Sequence, residues 1–271
     1  MYRKYWGLTE KPFENTPDPR FFYRSQEHEE GLLRLLYAIQ EAKGAAMLTG
    51  VFGCGKTLLG RELMREMGKD VYKVVCISNP LLTSLELLMM ITTELGVTDL
   101  PTKKTEVLTS MVLQRLGCAL NNNLNDGRRT VIIIDEAHII TEHDVWEELR
   151  LLLNYQLDSA FLLTLLLMGQ PELKKSIDSN KQLSQRIAIR HHLKPLSVEE
   201  TTDYVLHRLN VAGRSSALFD DEALKVIYEK AGGIPRRINH ICDLCLLTGF
   251  SRNLQMVGAD VVREVAADLE G

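Results

Sequence analysis

Four apolar segments of strand length are the feature of this sequence that most constrains its fold. They are residues 45–48, 71–77, 131–134 and 161–168. Segments with the apolar spacing of a helix separate them, at residues 56–67, 83–95, 104–120 and 144–153. Strands with continuous rather than alternating apolar residues are typical of a parallel sheet that helices cover on both faces. The sequence therefore predicts an α/β fold with a five-stranded parallel sheet, in which residues 187–193 form a weaker fifth strand.

The chain is predicted to divide into three regions. Only helical patterns follow Pro195, and they occupy residues 198–209, 222–231, 236–247 and 259–269. We therefore expect an α/β core at residues 26–195 and a small helical lid at residues 196–271. Residues 1–25 are rich in aromatic residues and proline, and prolines at this density disfavour a regular helix. This segment is expected to be an extended arm that packs its rings on the core, followed by a helix with Ser25 as N-cap.

Composition and charge narrow the class of protein. The 271 residues are 45% hydrophobic and 25% charged, as in an ordinary globular protein, and the formal net charge is −4. This balance argues against a surface that is basic overall, although a local basic patch remains compatible with it. The N-terminus lacks the apolar region of a signal peptide, and no uninterrupted apolar run approaches the ~18 residues of a membrane span. We expect a cytoplasmic protein without a transmembrane segment.

A glycine-rich loop at residues 50–57 is the strongest local motif. It reads GVFGCGKT, matches the pattern G-x-x-x-x-G-K-[ST], and lies between an apolar segment and a helix. Its glycines let backbone N–H groups surround phosphate oxygens, and the start of the following helix attracts the same anions. Lys56 would reach the β- and γ-phosphates, and Thr57 would offer its hydroxyl to Mg²⁺. The sequence thus predicts an Mg–ATP site formed by Gly50, Val51, Phe52, Gly53, Cys54, Gly55, Lys56, Thr57 and Leu58.

The cysteines favour a reducing compartment. Five is an odd number, and only Cys242 and Cys245 lie close together, inside an apolar helical pattern. Reduced core residues are therefore favoured over a zinc or redox site. Two interpretations stay open for Cys54 in the glycine-rich loop. It is either a thiol acidified at a helix start or, as we favour, a small residue tolerated at a variable position.

Two carboxylates follow the apolar segment at residues 131–134. Ligands bind at the C-terminal edge of a parallel sheet, so charged residues there are candidates for a functional role. The alternative is that they are ordinary solvated charges that cap the strand. Asp135 would hold Mg²⁺, and Glu136 would act as general base for an attacking water. His138 completes the sequence Asp-Glu-Ala-His. Because no further helicase motif is present, we expect His138 to be structural or a relay rather than catalytic.

Three further polar residues are candidates for sensing the nucleotide. Gln170 follows the fourth apolar segment and would touch the γ-phosphate or orient the water, unless it is only a turn residue. Arg186 precedes the last strand, where it would enter a neighbouring subunit's site and stabilise transition-state charge. Arg190 competes for that role, and a surface salt bridge is the alternative for Arg186. Arg236 begins a lid helix and would report nucleotide state to the lid, unless it is merely solvated.

Taken together, these motifs resemble those of an AAA+ ATPase. A closer resemblance, over nearly the whole chain, is to the ATPase domain of general secretion pathway protein A, the ExeA/GspA group. It rests on YWGL (5–8), PF (12–13), TPDPRF (16–21), His28, TGVFGCGKT (49–57), DEAH (135–138), LRLLLN (149–154), GQPEL (169–173) and PRRIN (235–239). The N-terminal elements and GQPEL are more specific to this family than the glycine-rich loop.

That resemblance implies an AAA+ core with a helical lid, ATP hydrolysis to ADP and phosphate, and a homo-oligomeric ring or filament in which Arg186 acts in trans. It also implies that Phe13 and Pro17 flank the adenine, with simple packing of the arm as an equal alternative. The leading hypothesis is an ATPase that uses Mg–ATP to assemble or remodel a protein partner in a secretion or export system.

A second hypothesis follows from one departure from that family. Its secretion-pathway members carry a membrane span and a peptidoglycan-binding region after the ATPase, whereas this sequence stops at Gly271. The ATPase module also resembles the DNA-bound regulators of transposition of the TnsC, TniB and MuB type, which act with a transposase. This hypothesis expects several basic residues to share one surface, namely Lys103, Lys104, Arg128, Arg129, Lys174 and Lys175.

Overall fold

The structure, a computed structural model, describes residues 2–101, 107–157 and 160–270. Lys103, Lys104 and the first part of the helix predicted at residues 104–120 lie outside the described residues. The chain forms two compact units. We call Glu30–Gly50 with Glu62–Leu193 the sheet unit, and Met1–Glu29 with Val51–Arg61 and Lys194–Gly271 the helical unit.

The sheet unit is built on a parallel sheet. The strands are β1 (Ala45–Gly50), β2 (Tyr72–Ile77), β3 (Arg129–Ile134), β4 (Gln156–Leu157), β5 (Ala160–Phe161), β6 (Leu163–Gly169) and β7 (Ile187–Leu193). Five of them pair in parallel in the order β2-β3-β6-β1-β7, whereas β4 and β5 form a separate antiparallel pair. The predicted five-stranded parallel sheet is confirmed, and the weak segment at residues 187–193 is its edge strand β7.

Helices connect the strands and make up most of the helical unit. They are α1 (Tyr2–Trp6), α2 (Gln26–Gln40), α3 (Lys56–Glu66), α4 (Ser84–Glu94), α5 (Thr109–Asn125), α6 (His143–Leu152), α7 (Glu172–Ser179), α8 (Lys181–Arg186), α9 (Val198–Val211), α10 (Asp221–Ala231), α11 (Pro235–Ser251) and α12 (Ala259–Glu270). Ser25 caps α2 as predicted, because its hydroxyl oxygen accepts the N–H of His28 at 3.4 Å. Within the described residues, no helix combines the length and the hydropathy that crossing a membrane requires.

Burial explains why the central strands read as continuous apolar segments. All four side chains at residues 131–134 of β3 are fully buried, so both faces of this strand are covered. On one face, Ile132 and Leu165 share a hydrophobic cluster with Leu88 of α4 and Leu116 of α5. Helices and sheet thus bury each other, and the carboxyl ends of the strands are left to carry polar residues.

The N-terminal segment departs from its prediction. A regular helix was not expected there, which is wrong for Tyr2–Trp6, because the first proline is Pro12 and does not restrain the residues before it. The Trp6 indole N–H donates to the carbonyl of Leu246 at 2.8 Å, and the buried Arg208 of α9 donates to the carbonyl of Pro12. The α/β core was the expected partner of this segment. Within the helical unit this segment contacts α9 and α11, and also Arg61 of α3, which lies in the predicted core.

Two parts of the sheet unit also differ from the sequence pattern. One strand was expected over residues 161–168, but Phe161 pairs with Gln156 in the small antiparallel sheet and β6 begins at Leu163. The helices α7 and α8 occupy a segment where no helix was expected. They have eight and six residues, which is too short for apolar periodicity to be recognised. Asn180 separates them and caps α8 by accepting the N–H of Leu183.

Candidate functional site

The glycine-rich loop connects the end of β1 to the start of α3. Gly53 and Gly55 have φ angles of 85° and 100°, which side-chain-bearing residues rarely adopt. Close neighbours add a second reason for glycine at both positions. A Cβ on Gly53 would lie 2.8 Å from the Cβ of Arg236, and one on Gly55 would lie 2.9 Å from Nε2 of His28. The loop conformation therefore requires the glycines that the motif provides.

Lys56 is the first residue of α3 and is only 6% exposed. Its ammonium group curls back over the loop and donates to the carbonyl of Val51 at 3.2 Å. Thr57 is exposed, and Leu58 is half-buried. Among the described residues, the N–H groups of Gly53 and Gly55 have no hydrogen-bond acceptor. A polyphosphate needs hydrogen-bond donors and positive charge, which the two backbone N–H groups and the ammonium group provide. Its Mg²⁺ needs oxygen ligands, and the hydroxyl at the helix start can be one of them. The residues present therefore fit this ligand.

The cysteine in this loop is not arranged as a reactive thiol. Cys54 is fully buried, and burial raises the pKa of its thiol above the usual range despite the nearby Lys56. This favours the interpretation of Cys54 as a small packed residue. Burial also raises the pKa of Cys242, and that of Cys245 to about 12. All five cysteines are free thiols, and no metal-binding group of three His, Cys, Asp or Glu residues occurs in the described part of the chain.

The two carboxylates lie directly after β3. Asp135 is buried, its N–H continues the pairing with β2 by donating to the carbonyl of Ile77, and its Oδ1 accepts the N–H of Glu136 at 2.9 Å. Glu136 has φ 53° and ψ 30°, in the left-handed region that residues other than glycine seldom occupy. Backbone strain of this kind persists only where surrounding contacts hold it in place. It is found most often at functional sites. The sharp turn leaves the Glu136 side chain about one-third exposed.

His138 packs beside this carboxylate. Its Nδ1 lies 3.3 Å from Oε2 of Glu136 but has no hydrogen-bond partner among the described residues. The ring also lies against the end of β6, where a Cβ on Gly169 would come within 3.2 Å of Nδ1. His138 is therefore a close neighbour of the proposed base, an arrangement compatible with either a structural role or a relay.

The sheet brings the strand-end residues to one edge. Because β6 lies between β3 and β1, the carboxyl ends of these three strands are neighbours along that edge. They carry Asp135 after β3, Gln170 after β6 and Gly50 as the last residue of β1. Neighbouring strands are about 4.8 Å apart, so these residues lie within a few strand spacings. Gln170 is half-buried, and its backbone carbonyl accepts the N–H of Leu173 at the start of α7.

Arg186 lies at the other edge of the sheet. It ends α8 immediately before the first residue of β7, and Ile187 pairs with Ala45 at the start of β1. The seven residues of β7 therefore separate Arg186 from the carboxyl ends of the strands by roughly 20 Å. Among the described residues of its unit, Arg186 makes no hydrogen bond or ion pair.

Arg190, the competing arginine, is held within its own chain. Its guanidinium donates to Oδ1 of Asp178 at 2.9 Å and to the hydroxyl and carbonyl of Ser184 at 2.7 and 3.1 Å. The hydrogen bond from Arg190 lowers the pKa of Asp178. Arg190 thus ties β7 to α7 and α8.

The remaining candidates lie in the helical unit. The Arg236 N–H donates to the carbonyl of Gly53 at 3.2 Å, and its guanidinium lies over the Phe52 ring. Phe13 is fully buried and meets Phe219 edge-on, with ring centroids 6.2 Å apart, as simple packing of the arm would have it. The Pro17 carbonyl accepts a hydrogen bond from Arg61 of α3 at 2.9 Å.

One residue of this region has no role assigned from sequence. His28 donates from Nε2 to the carbonyl of Cys54 in the glycine-rich loop at 3.1 Å. The two residues are 26 positions apart, and no local spacing rule connects them. The only sequence signal at His28 is its place in the family resemblance.

Comparison with known proteins identifies the class. The family model described as AAA domain matches residues 39–177, which include the glycine-rich loop, both carboxylates and Gln170. The chain belongs to the AAA domain family. It is also 37% identical over 274 residues to general secretion pathway protein A of Aeromonas hydrophila, an alignment that covers all of this chain and 49% of that protein. The chain thus spans about half the length of this curated relative.

Solved structures show the same fold at low sequence identity. The ORC2 protein of Aeropyrum pernix, in ADPNP and ADP complexes, matches with a TM-score of 0.70 and 17% identity, over 95% of this chain and 71% of that one. Drosophila ORC bound to DNA matches with a TM-score of 0.72 and 18% identity, over 100% of this chain and 66% of that one. These similarities establish the AAA-type architecture.

Proposed function

We propose that this protein binds and hydrolyses Mg–ATP. The observation that carries the proposal is the glycine-rich loop, whose positive-φ glycines leave backbone N–H groups available beside the buried Lys56. The loop N–H groups and Lys56 would hold the phosphates. Thr57 and Asp135 would hold Mg²⁺, which supplies charge neutralisation of the phosphate oxygens when it is bound.

Glu136 is the proposed general base. It would accept a proton from the water that attacks the γ-phosphorus, while the bond to the β–γ bridging oxygen breaks and ADP and phosphate are formed. Gln170, one strand away along the same sheet edge, would orient that water. The strained backbone at Glu136 supports this assignment, because the turn projects a carboxylate that a relaxed strand end would not position.

We further propose that the active form is a homo-oligomer, either a ring or a filament. Arg186 lies at the sheet edge opposite Asp135, so a role in catalysis requires a site in another subunit, where it would stabilise transition-state charge. The hydrogen bonds of Arg190 with Asp178 and Ser184 favour Arg186 over Arg190 for this role. Arg236 would report the nucleotide state from the lid.

For the biological process, we propose the assembly or remodelling of a protein partner in a secretion or export system. The 37% identity to general secretion pathway protein A supports this choice. The five free cysteines favour a reducing compartment such as the cytoplasm.

ATP-dependent binding of DNA, in the manner of a transposition regulator, is the second candidate. The fold similarity to Drosophila ORC bound to DNA favours it. The charges favour it less, since the net charge is −4 and the Arg128 guanidinium is paired with Asp126 at 2.6 Å. Binding of duplex DNA that needs ATP and weakens steeply with salt would support this function.

The test is ATP binding and turnover as a function of protein concentration, with and without duplex DNA. Lys56→Ala should abolish ATP binding, because it removes the charge at the phosphates. Glu136→Gln should bind ATP but turn it over about 10²-fold more slowly or worse. Lys69→Ala, which removes an exposed lysine shortly after α3, is the matched control and should behave like the wild type. Wild-type turnover in the Glu136→Gln variant would refute the assignment of the base.

A further inference from the structure

His28 lies against the glycine-rich loop within the helical unit. It belongs to the first turn of α2 and is only 4% exposed. Its Nε2 lies 3.1 Å from the Cys54 carbonyl oxygen and would be 2.9 Å from a Cβ on Gly55. The absence of a side chain at Gly55 is what allows the ring to come this close.

The hydrogen bonds of the ring define its orientation. A carbonyl oxygen can only accept, so Nε2 carries the hydrogen that goes to Cys54. Nδ1 lies 2.7 Å from the hydroxyl of the buried Ser25. In the neutral ring, Nδ1 therefore accepts from that hydroxyl, and the edge-on ring of Phe22, with its centroid 5.6 Å away, packs against the imidazole.

The carbonyl that His28 binds belongs to the same peptide unit as the N–H of Gly55. In a trans peptide the C=O and N–H bonds point in opposite directions, and the unit is rigid. No cis peptide occurs in the described residues. Holding the Cys54 carbonyl toward His28 therefore turns the Gly55 N–H away from His28. The Cα atoms of Cys54 and Gly55 flank this peptide, and Gly55, with φ 100° and no side chain, offers little resistance of its own to rotation of the peptide.

We propose that His28 is a positioning residue of the phosphate-binding loop. It fixes the Cys54–Gly55 peptide so that the Gly55 N–H is presented to the phosphates before nucleotide arrives. The inference rests on the proposed function, because it assumes that the loop binds ATP. Its energetic basis is preorganisation: without the hydrogen bond, nucleotide binding would also have to order the Cys54–Gly55 peptide, which lowers the net binding free energy.

The test compares His28→Leu, which removes the donor, with His28→Gln, whose amide N–H₂ can take the place of Nε2–H. Loss of one hydrogen bond should raise the Kd for ATP and the KM of His28→Leu about fivefold to tenfold, with kcat changed much less. His28→Gln should recover most of this loss. In the nucleotide-free protein, amide hydrogen exchange at residues 50–57 should be faster in His28→Leu than in His28→Gln.

A second histidine provides the control for this test. His143→Phe alters an exposed histidine of α6 and should leave the Kd, the KM, kcat and the hydrogen exchange unchanged. Wild-type ATP affinity in His28→Leu, or no difference between the Leu and Gln variants at equal Tm, would overturn the inference. Failure of the wild-type protein to bind ATP would refute the proposed function instead. If His28→Leu does not fold, Ser25→Ala replaces it, and unchanged exchange at residues 50–57 in that variant would equally overturn the inference.

Discussion

The guanidinium carbon of Arg236 lies 4.5 Å from the centre of the Phe52 ring. The backbone N–H of the same arginine donates to the carbonyl of Gly53, so side chain and main chain of the first turn of α11 both contact the glycine-rich loop. Phe52 is 57% exposed, and a cation–π contact at such a site contributes about 0.5–1 kcal/mol. Arg236 is therefore held at the loop by its backbone, while its side chain is bound only weakly and can be drawn to a stronger charge.

Arg236→Ala should lower kcat/KM for ATP about tenfold or more. A hydrogen bond to a charged phosphate contributes about 1.5–3 kcal/mol, and only the side chain is removed, so the backbone contact with Gly53 stays. The next residue provides a matched control, because Arg237 lines a separate surface cavity with Lys230 and His240. Steady-state turnover of both variants is the measurement. Equal losses in Arg236→Ala and Arg237→Ala would contradict a specific role for Arg236.

Glu136→Gly should be more stable than Glu136→Ala by about 0.5–1 kcal/mol. A side chain in the left-handed region costs about 1–2 kcal/mol, part of which is offset by the greater freedom of glycine in the unfolded chain. Urea unfolding of the nucleotide-free variants measures the difference. At the exposed Glu229, inside α10, the order should reverse and alanine should be the more stable residue. If alanine were the more stable residue at both positions, the backbone at Glu136 would be relaxed.

Arg186→Ala should lose turnover without losing stability. An arginine supplied in trans contributes about 10³-fold or more to kcat, and Arg186 makes no ion pair within its unit among the described residues. Mixing this variant with Lys56→Ala, whose own site is inactive but whose Arg186 is intact, should restore part of the activity. Turnover of Arg186→Ala that equals the wild type, or no recovery on mixing, would argue against action in trans.

Arg190→Ala should instead lower the Tm while the nucleotide site stays intact. Arg190 lowers the pKa of Asp178, so the ionised carboxylate is the form that the contact stabilises. A lowered pKa gives stability that is present above the ordinary value of about 3.9 and is lost as the pH falls through the lowered value. The difference in Tm between wild type and Arg190→Ala should therefore be full at pH 7 and shrink below pH 4. A difference that persists at pH 2 would contradict this origin.

Two of the five thiols should react at once with a disulfide reagent such as DTNB. Cys76 and Cys118 are exposed, whereas Cys54, Cys242 and Cys245 are buried and their pKa values are raised by burial. All five should react after denaturation. Rapid labelling of Cys54 in the native protein would show that the loop opens or that its thiol is acidic, contrary to the packing described above.

The accuracy of the sequence predictions depended on how local each signal was. β3 was predictable because full burial on both faces requires an unbroken apolar segment. The break at Leu162 was not, because Phe161 leaves the strand pattern only through its pairing with Gln156. α1 was missed because the density of prolines was averaged over the first 25 residues, although none lies within Tyr2–Trp6.

The candidate site follows the same rule. The glycine-rich loop and the pair Asp135-Glu136 are contiguous motifs, and the conformations they need follow from the residues themselves. The choice between Arg186 and Arg190 was open in the sequence. Spacing in the sequence favours neither arginine. The structure favours Arg186, because Arg190 is hydrogen-bonded to Asp178 and Ser184. Arg186 also lies at the opposite edge of the sheet from the proposed site.

The α/β class, the parallel sheet and the glycine-rich motif could be recognised from the sequence alone, because hydrophobic periodicity and glycine-rich turns are short-range properties of the chain. The residues that surround that motif depend on tertiary packing. The contacts of His28 with Cys54 and of Arg236 with the loop join residues far apart in sequence. Such contacts depend on how whole helices pack, and packing is a collective result that no single segment encodes.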